Sequence, residues 1–191
     1  SFIGGFNQTN TNIENINSIQ LDIRKFNDCK KILDINPDFI IHTAAITDVD
    51  YCEKNNEEAY CVNVQGTKNL CKIAQNLNCK IIYISTDGVF SGDSKNNKES
   101  DPLGSVELYS ATKVSCENII NAYNLNEDSK NKFSIVRSGN VLGGGDGGEH
   151  RLLTDILHAI DNKVDIKIRN PNSIRPWQFI LDSLGGYILT A

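Results

Sequence analysis

Tyr109 and Lys113 are the two residues of this sequence whose types and spacing most directly suggest chemistry. They form a Y-x-x-x-K pattern at the start of a predicted helix, so both side chains project from one face of that helix. An ammonium group beside a phenol favours the phenolate, which lowers the pKa of the tyrosine from about 10 towards working pH. The pair therefore predicts proton transfer to or from a substrate hydroxyl group, although such a pair also occurs by chance on helix surfaces.

A second polar cluster, Ser85-Thr86-Asp87, follows a buried apolar run and precedes Tyr109 by a short loop. Taken alone, these residues are typical of an ordinary cap between a strand and a loop. Their order and their distance from Tyr109 favour a functional role, because polar side chains at the end of a buried strand can meet a substrate there.

The elements that must position these residues alternate between strand and helix. Predicted strands cover residues 18–23, 39–41, 80–85 and 133–137, and predicted helices cover residues 25–33, 57–75 and 108–123. Apolar strands separated by helices predict an α/β fold, a doubly wound parallel sheet with helices on both faces. Ligands of such sheets bind beyond the carboxyl ends of the strands.

The glycine-rich stretch at residues 143–148 predicts a boundary between two regions. We assign residues 1–145 to a nucleotide-binding core. Residues 146–191, with a predicted helix at 151–160 and a strand at 166–168, begin a small substrate-binding region. At the other end only Ile3-Gly4-Gly5 precedes the first predicted strand, without the G-x-G-x-x-G turn that cradles a pyrophosphate. We therefore expect a fold that lacks its first βα unit.

Composition excludes several classes of function. The chain has 191 residues, 39% of them hydrophobic, and no apolar run approaches the length of about 18 residues that a membrane span needs. A net charge of −5 argues against nucleic acid as a partner. The six cysteines include no C-x-x-C pair and do not group with the histidines, so we expect reduced thiols, no metal site and a cytoplasmic protein.

Three more short motifs occur in order: Asp22-Ile23, then His42-Thr43-Ala44-Ala45, then Asn63 within V-N-V-Q-G-T. Together with Thr86, Tyr109 and Lys113 they resemble the extended short-chain dehydrogenases/reductases, which act on nucleotide sugars. The resemblance implies a Rossmann-like fold and NAD or NADP as cofactor. It also implies a catalytic triad of Thr86, Tyr109 and Lys113.

The same resemblance assigns contacts to the remaining motif residues. Asp22 and Ile23 would contact the adenine, and small residues at Ala44 and Ala45 would let the backbone approach the cofactor. Asn63 would support the strands of the site. Ser85 would lie beside the cofactor, and Lys113 would also hold its ribose.

The C-terminal part is similar to the CDP-glucose 4,6-dehydratase branch of this family. The similar segments are residues 137–146, 151–152, 169–171 and 175–178. By this resemblance Asn140, Arg151 and Arg175 would bind the nucleotide-sugar substrate, with Asn140 and Arg175 facing its diphosphate.

The residues after Thr86 differ from those of the 4,6-dehydratases, and this difference leaves more than one activity open. A 4,6-dehydratase carries an acid and then a base after its threonine, whereas this chain has Asp87 followed by Gly88. Residues 22–90 also resemble reductases of nucleotide 4-keto sugars, which need no such base. We favour a dehydratase with Asp87 as the acid, narrowly over a reductase or 4-epimerase, and over a non-catalytic binding protein. The nucleotide, the sugar and a possible homodimer stay open.

Overall fold

The computed structural model describes residues 2–9, 13–94, 96–126, 132–145, 151–168 and 170–191. Their contacts divide the chain into two compact units, residues 1–137 with 187–191, and residues 138–186. The domain boundary predicted after residue 145 stays a prediction.

The first unit alternates strands and helices in the predicted order. Its strands are β1 (Ile3–Phe6), β2 (Asn17–Gln20), β3 (Phe39–His42), β4 (Lys80–Thr86) and β5 (Phe133–Ser138). Its helices are α1 (Phe26–Cys29), α2 (Lys31–Ile35), α3 (Val49–Lys54), α4 (Asn56–Ala59), α5 (Gly66–Leu77) and α6 (Leu108–Asn124). A π-helical segment, Tyr60–Gln65, joins α4 to α5, and a 3-10 turn, Asp87–Val89, follows β4.

The strand pairing is that of a parallel α/β fold. β1 pairs with β2 and β3 pairs with β4, both in parallel, and a three-stranded sheet has the order β3-β4-β5. The sequence pattern did not predict β1, because two glycines in a four-residue strand weaken the strand signal.

The core of the first unit forms where α5 and α6 pack against the sheet. The fully buried side chains there include Ile73, Ile81 and Ile120. Five of the six cysteines are buried as free thiols, and Cys61 alone of the six is exposed. The cysteines therefore serve mainly as small apolar side chains.

The second unit contains a short parallel pair of strands and helical segments. Its elements are β6 (Asn140–Leu142), α7 (Leu152–Asn162), β7 (Trp177–Phe179) and α8 (Ile180–Thr190), whose last residues belong to the first unit. The predicted strand at residues 166–168 is wrong: Ile166 and Ile168 are half exposed and lie in irregular backbone. A three-residue apolar alternation is too short a signal to distinguish a strand from a loop. Among the described residues, no helix has the length and apolar character to cross a membrane.

Gly139 is required by a close approach of β6 to the residue before β7. The backbone nitrogen of Asn140 donates to the Pro176 carbonyl oxygen at 2.9 Å. A Cβ atom on Gly139 would lie 2.4 Å from Pro176 Cγ and 2.6 Å from its carbonyl oxygen. Neither the proline ring nor the backbone can turn aside as a flexible side chain would.

We expect Gly139→Ala to lower the free energy of unfolding by about 1–3 kcal/mol, because the added methyl group overpacks this contact. Urea denaturation measures the change. Gly144→Ala is the matched control, since its Cβ would have no heavy atom within 4 Å, and it should change stability by less than about 0.5 kcal/mol. Equal losses in the two variants would contradict the account of Gly139.

Candidate active site

Thr86 and Tyr109 lie at two chain turns that meet at the end of β4. The Thr86 hydroxyl oxygen accepts from the Gly88 nitrogen at 3.2 Å and so starts the 3-10 turn. Glu107 caps α6 by accepting from the backbone nitrogens of Tyr109 at 3.1 Å and Ser110 at 3.0 Å. The Thr86 hydroxyl group acts on the pKa of the Tyr109 phenol, and the two turns meet beside Gly88. The structure thus brings these two predicted catalytic residues together.

Lys113 lies one helical turn after Tyr109 and is buried, with 4% of its surface exposed. Its Nζ donates to the Ile84 carbonyl oxygen at 2.5 Å and lies 4.2 Å from the centre of the Tyr83 ring. Burial lowers the pKa of Lys113 to about 8. The ammonium group is therefore charged near neutral pH and loses its proton as the pH rises through about 8.

The expected lowering of the Tyr109 pKa by Lys113 is wrong for this structure. Burial is the largest cause, and together with the nearby carboxylates Glu107 and Asp87 it raises the pKa of the phenol to about 12, while the Thr86 hydroxyl group acts in the opposite direction. Burial and the negative charge of Glu107 are the largest influences on this pKa, while the Lys113 ammonium group is held at the Ile84 carbonyl oxygen. Tyr109 consequently keeps its proton at neutral pH.

Asn63 connects the loop after β3 to α6. Its side-chain oxygen accepts from the Ile46 nitrogen at 2.8 Å, and its amide nitrogen lies 3.0 Å from the Ile46 carbonyl oxygen and 2.9 Å from the Thr112 hydroxyl oxygen. Thr112 in turn donates to the Tyr109 carbonyl oxygen at 2.6 Å. The amide therefore fixes the helix turn that carries Tyr109 and Lys113. Thr112 was not predicted as a site residue, since a threonine inside a helix gives no spacing signal.

The residues predicted to contact a cofactor end β2 and β3 or follow them closely. Asp22 and Ile23 are buried in the turn after β2, and the Asp22 carboxylate accepts from Arg24 Nη2 at 2.8 Å. Arg24 holds the pKa of Asp22 below its usual range. Ala44 is exposed after β3, and Ala45 is half-buried. Their roles toward a cofactor stay predictions.

Ser85 has a structural partner. It is buried at the end of β4, and its hydroxyl group donates to Glu117 Oε1 at 2.5 Å. This hydroxyl group therefore points to α6, and its predicted cofactor contact is not needed to explain why a polar residue is buried there.

Gly88 lies against the first turn of α6. A Cβ atom on Gly88 would lie 2.7 Å from the Ser110 hydroxyl oxygen and 3.5 Å from that of Thr86. Asp87, the predicted acid, accepts from the Thr86 hydroxyl group at 3.2 Å. Residue 88 consequently has no room for a side chain unless Ser110 moves.

The predicted substrate residues Asn140, Arg151 and Arg175 belong to the second unit. Asn140 begins β6, and Arg175 is exposed directly before Pro176, which accepts from the Asn140 backbone. Arg151 is exposed at the first turn of α7. The structure thus brings Asn140 and Arg175 to neighbouring strand ends, and their contacts with a diphosphate stay predictions.

The family model described as "RmlD substrate binding domain" matches residues 3–176. Among curated proteins, the CDP-glucose 4,6-dehydratase of Salmonella typhimurium is 34% identical over 182 residues, covering 89% of this chain and 51% of that protein. The chain therefore spans about half the length of this curated relative.

Two solved structures match the fold. A dTDP-4-dehydrorhamnose reductase from Bacillus anthracis, in complex with NADP, is 30% identical with a TM-score of 0.66, covering 81% of this chain and 54% of that one. A double mutant of a dTDP-glucose 4,6-dehydratase from Streptomyces venezuelae, with NAD bound, is 24% identical with a TM-score of 0.81, covering 94% and 56%. The prediction of a Rossmann-like α/β fold is confirmed.

We expect Asn63→Asp to lower the free energy of unfolding by about 2–4 kcal/mol, because a carboxylate cannot donate to Ile46 or to Thr112. Thermal or urea denaturation followed by circular dichroism measures the loss. Asn118→Asp, an exposed substitution on α6, is the matched control and should stay within about 0.5 kcal/mol of the wild type. A stable Asn63→Asp variant would show that the amide does not hold α6 in place.

Proposed function

The chain belongs to the RmlD substrate-binding domain family of extended short-chain dehydrogenases/reductases, and on that premise we propose that it transfers hydride and a proton at C4 of a nucleotide sugar. The observation that carries the proposal is the meeting of Thr86 and Tyr109 at the end of β4, with Lys113 one turn further along α6. A protein that only binds has no physical need for this set of three side chains.

The residues at the carboxyl ends of the strands fit a nicotinamide cofactor, NAD or NADP. Ala44 is exposed after β3 and leaves the backbone approachable. Lys113 supplies a buried cation beside the end of β4, where it can hold a ribose hydroxyl group. When bound, the cofactor gives or takes up the hydride.

Tyr109 serves as the proton donor in this proposal. Burial keeps its phenol protonated, since the pKa is raised to about 12, so it can give its proton to a carbonyl oxygen. The Thr86 hydroxyl group, which acts on the Tyr109 phenol, orients the same substrate oxygen. Reduction of a ketone requires a proton donor for the oxygen, and a protonated tyrosine can supply that proton.

Reduction of a nucleotide 4-keto sugar is therefore the activity that we propose first. The sequence alone favoured dehydration, but elimination across C5 and C6 needs a base beside the acid. Residue 88 is a glycine, and Ser110 fills the space that a side chain there would take. Reduction needs only Thr86, Tyr109, Lys113 and the cofactor.

The 4,6-dehydration of an NDP-hexose such as CDP-glucose is the second candidate. The similarity to the Salmonella CDP-glucose 4,6-dehydratase over 89% of the chain favours it, as does Asp87 beside Thr86 as a possible acid. Asn140, Arg151 and Arg175 would bind the nucleotide sugar in either activity. A homodimer, the absence of a nucleic-acid partner and a cytoplasmic location stay predictions.

A product assay separates the two candidates. We expect the intact protein to oxidise NADH or NADPH when a nucleotide 4-keto sugar is supplied, because Tyr109 can protonate the new alkoxide. We expect no 4-keto-6-deoxy product from CDP-glucose, as measured by its ultraviolet absorbance in alkali. Formation of that product would show dehydration instead, and loss of both reactions would contradict the proposed function.

We expect Tyr109→Phe to lower turnover by about 10²–10⁴-fold, because the variant keeps the ring but loses the transferable proton. Cofactor affinity, measured by calorimetry, should change little. Tyr60→Phe is the control, since Tyr60 is 56% exposed, and it should keep wild-type turnover. Equal turnover in the two variants would show that Tyr109 is not the proton donor.

A further inference from the structure

Glu117 is a fully buried carboxylate that the proposed function does not use. It is 0% exposed. Its Oε1 accepts from the Ser85 hydroxyl group at 2.5 Å and from Arg137 Nε at 3.0 Å, and its Oε2 accepts from Arg137 Nη2 at 2.7 Å. Both carboxylate oxygens are thus held by charged or hydroxyl donors.

The position of Glu117 connects three elements of the site. It lies on α6 one helical turn after Lys113, so the two side chains lie on the same face of the helix. Ser85 immediately precedes Thr86 in β4, and Arg137 lies in β5. The carboxylate therefore holds the strand end that carries Thr86 against the helix that carries Tyr109.

Arg137 extends this contact to the segment after Thr86. Its Nη1 donates to the Glu99 carbonyl oxygen at 3.2 Å, and its guanidinium carbon lies 5.0 Å from the centre of the Phe90 ring. Glu117 is thus connected to the chain before the 3-10 turn through Ser85 and to the chain after it through Arg137.

A buried ion pair of this kind contributes little to stability, because desolvation of both charges offsets most of their attraction. Breaking one by removing a single partner is costly, since a charge then stays buried alone. A contribution to stability therefore does not explain why Glu117 is charged and buried. The effect of its negative charge on the neighbouring Lys113 is the alternative.

The charged and titratable groups near Lys113 come from four elements. On β3, burial lowers the pKa of His42 to about 3, with the charge of Lys113 acting the same way, so the ring is neutral. On β4, burial raises the pKa of the Tyr83 phenol, so the ring beside Nζ is neutral too. On α6, burial raises the pKa of the Cys116 thiol, which carries no charge near neutrality.

Glu117 supplies the negative charge in this group. The pKa of Lys113 is lowered by burial, while Cys116 and Glu117 act to raise it. Since the Cys116 thiol is neutral, the support for the charged ammonium near neutral pH comes from Glu117. Arg137 on β5 is the positive partner of Glu117, and its charge would stay buried without that partner if the carboxylate were removed.

We propose, building on the function proposed above, that Glu117 is a positioning residue: it holds the Thr86 end of β4 through Ser85 and, one turn from Lys113 on the same face of α6, places a negative charge near the ammonium group. Removal of the Glu117 charge should take this support away from the ammonium group. The fraction of Lys113 that is charged at neutral pH should therefore fall.

The test is an NMR titration of Lys113 in the intact protein labelled with 13Cε-lysine, with the resonance assigned by its loss in Lys113→Arg. We expect Glu117→Gln to lower the titration midpoint by about one pH unit or more. Arg137→Gln breaks the same ion pair but keeps the carboxylate, so its midpoint should not fall below the wild-type value. Asp34→Asn, an exposed carboxylate on α2, should leave the midpoint unchanged.

Kinetics test the positioning of Thr86. We expect Ser85→Ala to lower kcat by about tenfold or more with little change in KM, and to leave the Lys113 midpoint in place. The alkaline limb of the turnover profile should move to lower pH in Glu117→Gln. The titration needs no substrate, so a protein without turnover would overturn the proposed function while Lys113 still reports on Glu117.

An unchanged midpoint in Glu117→Gln would overturn the proposal. A midpoint that falls equally in Glu117→Gln and Arg137→Gln would also overturn it, because loosened packing would then explain both. If Glu117→Gln does not fold, Arg137→Gln decides: a midpoint at or above the wild-type value supports the proposal, and a lower one overturns it.

Discussion

Lys113 carries a charge into the interior of the first unit, where its ammonium group donates to the Ile84 carbonyl oxygen at 2.5 Å. Burying an ammonium without a partner is costly, so α6 has to keep the register with β4 that leaves this oxygen within reach. The same register brings Tyr109, one turn earlier, to Thr86, and Glu117, one turn later, to Ser85. The contacts of Tyr109, Lys113 and Glu117 thus depend on how α6 lies along the end of β4.

Sequence patterns predicted the parts of this arrangement that repeat locally. The apolar run of β4 and the helical spacing of Tyr109 and Lys113 are properties of a few neighbouring residues, and the structure has both elements at the predicted positions. Burial of most cysteines also follows from residue type. The pairing of Thr86 with Tyr109 required more, since motif order, not periodicity, indicated that these residues meet.

Contacts between distant residues could not be predicted in this way. Nothing in the sequence around Ser110 shows that its hydroxyl group occupies the space beside Gly88, so the sequence does not reveal that a side chain at residue 88 would require Ser110 to move. The π-helical segment that turns Asn63 toward Ile46 gives no periodic signal either. The strand predicted at residues 166–168 failed for a related reason, because strand formation depends on a partner that local alternation does not reveal.

Burial acts on the two members of the Tyr/Lys pair in opposite directions, and the outcome bears on the direction of the chemistry. It raises the pKa of Tyr109 to about 12 and lowers that of Lys113 to about 8. Below pH 8 the phenol therefore holds its proton while the ammonium is charged. A reaction that begins by reducing a ketone starts from this state. One that begins by oxidising a hydroxyl group must first remove the phenolic proton against the negative charge of Glu107. The carboxylate that caps α6 thus stabilises the helix and, by the same charge, favours Tyr109 as an acid over Tyr109 as a base.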